Sequence, residues 1–147
     1  MLQRIQSLYL LVVVIAYVLL FFFPVAQFSA NGMVYSFSLL EITNGNSNST
    51  IPLIIAVVLL IITVLLTIFL YKKRVLQIKI TGILVLAHIG FILALFYAAG
   101  TVTKSVDAVA TYDAAAYIAL VPLIFLVLAN RAIRKDEKLV RSNDRLR

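Results

Sequence analysis

The chain has 147 residues, 63% of them hydrophobic and 13% charged, with a formal net charge of +7 and a mean hydropathy of +1.08. A soluble domain is about half apolar and about a quarter charged, so this composition excludes an ordinary water-soluble fold and leaves a bilayer protein. Zero cysteines exclude disulfides, thiolate metal sites and cysteine nucleophiles, and a single histidine excludes a histidine-cluster metal site.

An apolar run of about 20 residues crosses the roughly 30 Å hydrocarbon core as a helix, and the sequence offers four such runs. The first spans about 5–23, with Arg4 ahead of it and Pro24 at its end, where the ring blocks continuation of the helix. A short basic segment before an apolar core also describes a signal peptide, but the region after Pro24 lacks the small-x-small pattern of a cleavage site. An uncleaved anchor is expected.

The loop that follows carries Asn31-Gly32, a pair suited to a two-residue type I′ turn. Phe28 to Ala30 and Met33 to Leu39 alternate around it, with Met33, Tyr35, Phe37 and Leu39 on one face. This predicts a small β-hairpin at the membrane-water boundary, where aromatic residues are favoured. Asn44 to Thr50 reads as a polar linker; its Asn48-Ser49-Thr50 is formally a glycosylation acceptor, a match that such a composition produces cheaply.

Pro52 suits the first turn of a second span over about 52–71, in which Thr63 and Thr67 are the polar groups. A basic pin follows, with Lys72, Lys73, Arg74 and Lys79 set between the two apolar halves. The third span, about 78–98, carries Gly90, Ala94 and Ala98 at four-residue spacing, a stripe on which a neighbouring backbone can come close. Thr101 to Val106 alternates and is rich in β-branched residues, which predicts a third strand beside the hairpin. Thr111 or Asp113 then caps a fourth span over about 113–131, with a kink at Pro122.

Orientation follows from the bases. Arg4, the four of the pin and the tail's Arg131, Arg134, Lys135, Lys138, Arg141, Arg145 and Arg147 fall on one side, leaving Lys104 alone on the other. The positive-inside rule then places both termini in the cytoplasm. The expected fold is one domain over residues 1–147: an all-α integral membrane protein, four transmembrane helices as two hairpins, with a small β-hairpin in the first outer loop.

Four pieces carry a family resemblance. They are Met1-Leu2-Gln3-Arg4-Ile5-Gln6, the hairpin core Val34-Tyr35-Ser36-Phe37, the pin from Leu70 to Lys79, and the tail from Leu128 to Arg147. Together they resemble the bacterial membrane-protein family called domain of unknown function 4293, found in Bacteroidota. The resemblance covers the chain in order and implies a four-span inner-membrane protein with no assigned activity and no catalytic residue to carry over.

Two sets of residues stand as candidates. His88 lies about ten residues into the third span, hence about 15 Å deep, where an ionisable group is a functional candidate by default. No Asp, Glu, Lys or Arg shares its depth, so a neutral packing histidine is favoured over a proton relay. Tyr17, Thr63 and the Ile118 carbonyl freed by Pro122 are the expected hydrogen-bond partners. The tail from Arg131 to Arg147 reads as a helix with Glu137 and Arg141 at i,i+4 and Asp144 and Arg147 at i,i+3. Its bases exceed what orientation requires and suit anionic lipid, a cytoplasmic protein or RNA; no DNA partner, metal or other cofactor is expected. The functional expectation is a non-enzymatic accessory or scaffold subunit in a larger membrane complex. A small-solute transporter or channel is the alternative, disfavoured because the spans offer neither a charge nor a broken helix to line a path. A lipid-active enzyme ranks third for want of a nucleophile, base or metal constellation.

Overall fold

The computed structural model describes residues 2–30, 33–40, 50–106 and 109–144, with side chains at all of these except 2–4, 30, 33, 72, 105–106, 109–110, 141 and 143–144. The Asn31-Gly32 turn, most of the polar linker with Asn48-Ser49, and Arg145 and Arg147 of the tail lie outside the described residues.

Helix α1 runs over Leu2–Leu19 and tightens at its end, where Phe21 N–H bonds the Val18 carbonyl and Phe22 N–H the Leu19 carbonyl at three-residue spacing. Pro24 follows directly. Strands β1 (Ala26–Ala30) and β2 (Met33–Phe37) come next, then α2 (Ile51–Phe69), whose second residue is Pro52 as expected of a first-turn proline. The pin is tighter than predicted: Leu70–Lys72 is a 3-10 turn, Lys73 is the link, and Arg74 already opens α3 (Arg74–Val106). Lys79 therefore sits on a helix. Strand β3 (Val109–Tyr112), α4 (Ala114–Ile118) and α5 (Val121–Asp144) complete the chain.

Three helical stretches, 51–69, 74–104 and 114–140, are long and apolar enough to cross a membrane, while Ile5–Leu19 is apolar but shorter. Each helix turns one line of large side chains inward. Leu10, Val13, Tyr17 and Leu20 meet Leu53, Val57, Leu60 and Val64 of α2, Leu84, His88, Phe91, Leu95 and Ala99 of α3, and Leu126, Ala129 and Ile133 of α5. The i, i+3, i+4 spacing is that of a helix face, yet the outer faces are apolar too, with Phe22, Phe69, Leu86, Leu93 and Tyr97 among the exposed residues. Apolar surface inside and out at once suits a bilayer rather than water.

The sheet closes one end of the helices in the order β2-β1-β3, antiparallel throughout. Ala30 pairs with Met33, so the hairpin has the two-residue connection predicted for it, and Phe28, Phe37 and Leu39 are buried beneath. The third strand exists but is not the predicted one. Thr101 to Val106 continues α3, and the edge is supplied by Val109–Tyr112, with Ala26 opposite Tyr112. The Thr101 and Thr103 hydroxyls donate to the carbonyls of Ala98 and Ala99, satisfying the polar groups of a β-branched stretch within the helix. Asp113 caps α4: one carboxylate oxygen accepts from Ala114 N–H at 2.6 Å and the other from Gln27 Nε2 at 2.6 Å. Asp113 N–H to Val25 O and Ala115 N–H to Pro24 O bind the same corner to the segment leaving α1.

Candidate functional site

The deepest polar cluster is built from three separate segments. His88 is fully buried on α3, Tyr17 faces it from α1, and Ala119 presents its carbonyl from the junction of α4 and α5. The fourth apolar stretch is broken here. Helix α4 stops at Ile118, Ala119 and Leu120 form a turn, and α5 restarts just ahead of Pro122, whose missing N–H and ring oppose continuity. The expected kink is thus an interruption, and the objection that no helix is broken falls. The carbonyl that meets the imidazole is Ala119, one residue beyond the predicted Ile118, because the turn rather than the proline's own i−4 position aims it at α3.

These contacts define the ring's protons. A carbonyl only accepts, so Nε2 carries hydrogen and donates to Ala119 at 2.9 Å; in the neutral ring Nδ1 then accepts from the Tyr17 hydroxyl at 3.0 Å. Tyr17 also meets the imidazole edge-on, and Phe91 stacks on it with ring centroids 5.9 Å apart. Thr63 is no partner; its hydroxyl bonds the Leu59 carbonyl in its own helix. Both ring nitrogens are occupied by groups of the chain itself, which is the chemistry of a fastener.

A second polar layer lies toward the basic end. Asn130 Nδ2 donates to the Ile78 carbonyl at 3.0 Å, Gln77 Nε2 to that of Thr67 at 3.1 Å, and Gln6 Nε2 to that of Ala132 at 3.4 Å. Sequence reasoning missed all three amides. The signal was there: uncharged amides at the ends of apolar runs, where a side chain can reach a neighbouring helix's carbonyl.

Beyond this layer the pin meets the tail. Arg74 Nε lies 3.5 Å from Asp136 Oδ2, close enough to pair but poorly aligned, since that buried oxygen makes no hydrogen bond. Of the other pin bases, Lys73 and Lys79 are exposed, and the Lys72 side chain is not among those described. The tail is helical as predicted, being the continuation of α5 to Asp144. Ile133 is buried, whereas Leu139 and Val140 remain open and Arg131, Arg134, Lys135 and Lys138 face outward. A notch of about 750 Å³ between pin and tail is lined by Tyr71, Lys73, Arg74, Val75, Leu76, Lys79 and Glu137.

The small-residue stripe does not carry the packing of α3 within this chain. A side-chain carbon at Gly90 would meet nothing within 4 Å, Ala94 is exposed, and only Ala98 is partly buried against the core. The inward face is instead the bulkier line from Leu84 through Ala99, because burying large side chains and satisfying His88 gains more than close backbone approach. Gly90 and Ala94 line an outward groove of about 670 Å³ between α2 and α3, otherwise walled by apolar side chains and Thr63.

Among the described residues no group of three or more His, Asp or Glu is placed to hold a metal ion. No curated protein and no solved structure matches the chain. The family model for a domain of unknown function, DUF4293, matches residues 2–146, nearly the whole chain, and the protein belongs to that family.

Proposed function

We propose that the protein is a non-enzymatic accessory or scaffold subunit of the bacterial inner membrane, with four spans, both termini in the cytoplasm, and a basic tail that docks an acidic surface. The one-sided distribution of bases supports the orientation. The turns after Leu19 extend α1 toward spanning length. The reading rests chiefly on the α2–α3 groove. Large side chains fill the interior while Gly90 and Ala94 stay uncovered on the outer face, where small residues let another helix approach closely.

The test is what copurifies with the full chain from native membranes in mild detergent. A stoichiometric membrane partner is expected, lost when Gly90→Leu and Ala94→Leu fill the groove without lowering the thermal midpoint of the purified protein. A partner-free parent, or a groove-filled variant that keeps its partner, would refute the subunit reading. Replacing Arg141 and Arg145 with Lys keeps the charge but removes bidentate geometry, so it separates specific docking of the tail from simple attraction to anionic lipid.

A small-solute transporter is the second reading, favoured by the break at Ala119-Leu120, since interrupted helices form binding sites in transporters. His88 decides between the two. His88→Asn, which can still hydrogen-bond, should leave any growth phenotype intact in a subunit held together by that contact. Its loss of function in a folded variant would promote the transporter.

A further inference from the structure

We infer that the groove between α3 and α5 at the basic end is a headgroup site for one anionic phospholipid of the cytoplasmic leaflet. The groove has a volume of about 300 Å³ and is lined by Gly82, Val85, Val127, Asn130, Arg131 and Arg134. Its chemistry is graded along the helices. Arg131 and Arg134, three residues apart on α5 and so on one side of it, stand at the mouth; Asn130 and Gly82 lie at the level below; Val85 and Val127 line the part nearer the middle of the bundle. A phosphate, the glycerol region and the start of an acyl chain follow each other in the same order.

The charge at the mouth is available. Among the described residues neither Arg131 nor Arg134 has an ion pair, and Asp136 lies beside Arg74 instead. Two other surface depressions among the described residues fit an anionic lipid less well. The larger α2–α3 groove has no base in its lining, and the notch at the pin includes Glu137 and the already paired Arg74. Guanidinium groups also suit a phosphate better than the lysines of the pin, because they bind it through two parallel hydrogen bonds.

Gly82 keeps the groove open. A side-chain carbon added there would sit 3.8 Å from Asn130 Nδ2, ordinary contact distance, so a small side chain fits and a large one would occupy the groove. This site rests on the proposed membrane orientation but not on the α2–α3 groove, on a protein partner, or on Arg141 and Arg145.

The experiment is native mass spectrometry of the purified full chain in neutral detergent, titrated with dioleoylphosphatidylglycerol, dioleoylphosphatidylcholine or water-soluble glycerol 3-phosphate. One phosphatidylglycerol should be retained per chain, with the zwitterionic lipid and the soluble phosphate each about tenfold weaker or more. The double variant Arg131→Gln, Arg134→Gln and the charge-neutral variant Gly82→Leu should both lose that preference, while Arg141→Gln keeps it. Equal retention of the two lipids, binding of glycerol 3-phosphate as tight as the lipid, or full retention by the arginine double variant would overturn the site. If Gly82→Leu fails to accumulate, the arginine pair decides alone, since both side chains are exposed.

Discussion

The two ends of the bundle reach their boundaries by opposite means. At the sheet end the loops satisfy one another: β1 lies between β2 and β3, Asp113 accepts from both Ala114 and Gln27, and Val25 bonds on either side to Phe37 and Asp113. Hardly any charge is spent there. At the basic end the connection is a single 3-10 turn, α5 runs on past the core, and Lys73, Lys79, Arg131 and Arg134 stay open, while Arg74 lies beside Asp136. One end is closed upon itself; the other leaves its bases exposed. Self-satisfied hydrogen bonding limits motion at a boundary, whereas unpaired bases fix sidedness and create affinity.

The sharpest way to break this comparison is to ask whether the ends lie on opposite sides of a membrane. Single cysteines at Thr101 and Ser142 should differ completely toward an impermeant maleimide in spheroplasts, with labelling at Thr101 and none at Ser142. Labelling of both positions would refute the placement of the ends on opposite sides, and labelling of Ser142 alone would invert the proposed orientation.

A smaller but still large effect is expected from the pair of Arg74 with Asp136 at the basic end. Arg74→Ala leaves the largely buried Asp136 carboxylate without its neighbour and should lower stability in detergent by about 2 kcal/mol, less than for a fully buried pair because Arg74 is partly exposed, while Arg74→Ala combined with Asp136→Asn should recover most of it. A single variant as stable as the parent would show the pair to be incidental.

The least costly change is at the sheet end. Asp113→Ala removes a helix cap and the acceptor of Gln27, yet the backbone pairing of β1 with β3 persists, so a loss of about 1 kcal/mol is expected by thermal unfolding. Asp113→Asn, which still caps, should lose less. A loss from Asp113→Ala equal to that of Arg74→Ala would erase the distinction between the ends.

What the sequence made legible were features with local causes. The hairpin face, Pro52 in the first turn of α2, Asp113 as a cap and a disturbance of the helix near Pro122, expected as a kink, each follow from a side chain acting on its own few neighbours. What stayed hidden was set by partners distant along the chain. Thr101 to Val106 has strand composition but extends α3, since a helix already begun gains one bond for each residue added. Tyr17 was readable from its depth as a partner of His88, but the turn that brings Ala119 to the same ring was not, and the stripe at Gly90 and Ala94 promised close packing on a face that stays outward. The pairing of Arg74 with Asp136 and the reach of Asn130 to Ile78 are likewise invisible to local pattern.

The position of β1 at the centre of the sheet bears on how the chain is made. Its first neighbour, β2, follows at once, but its second, β3, emerges from synthesis only after α2 and α3. Until then the central strand has a bare edge, and that edge can be covered only once the second hairpin has delivered Val109–Tyr112 to the same side. Completion of the sheet thus requires α2 and α3 to be packed so that Val109–Tyr112 returns beside β1, and a chain whose helices were arranged otherwise would be left with an open strand edge.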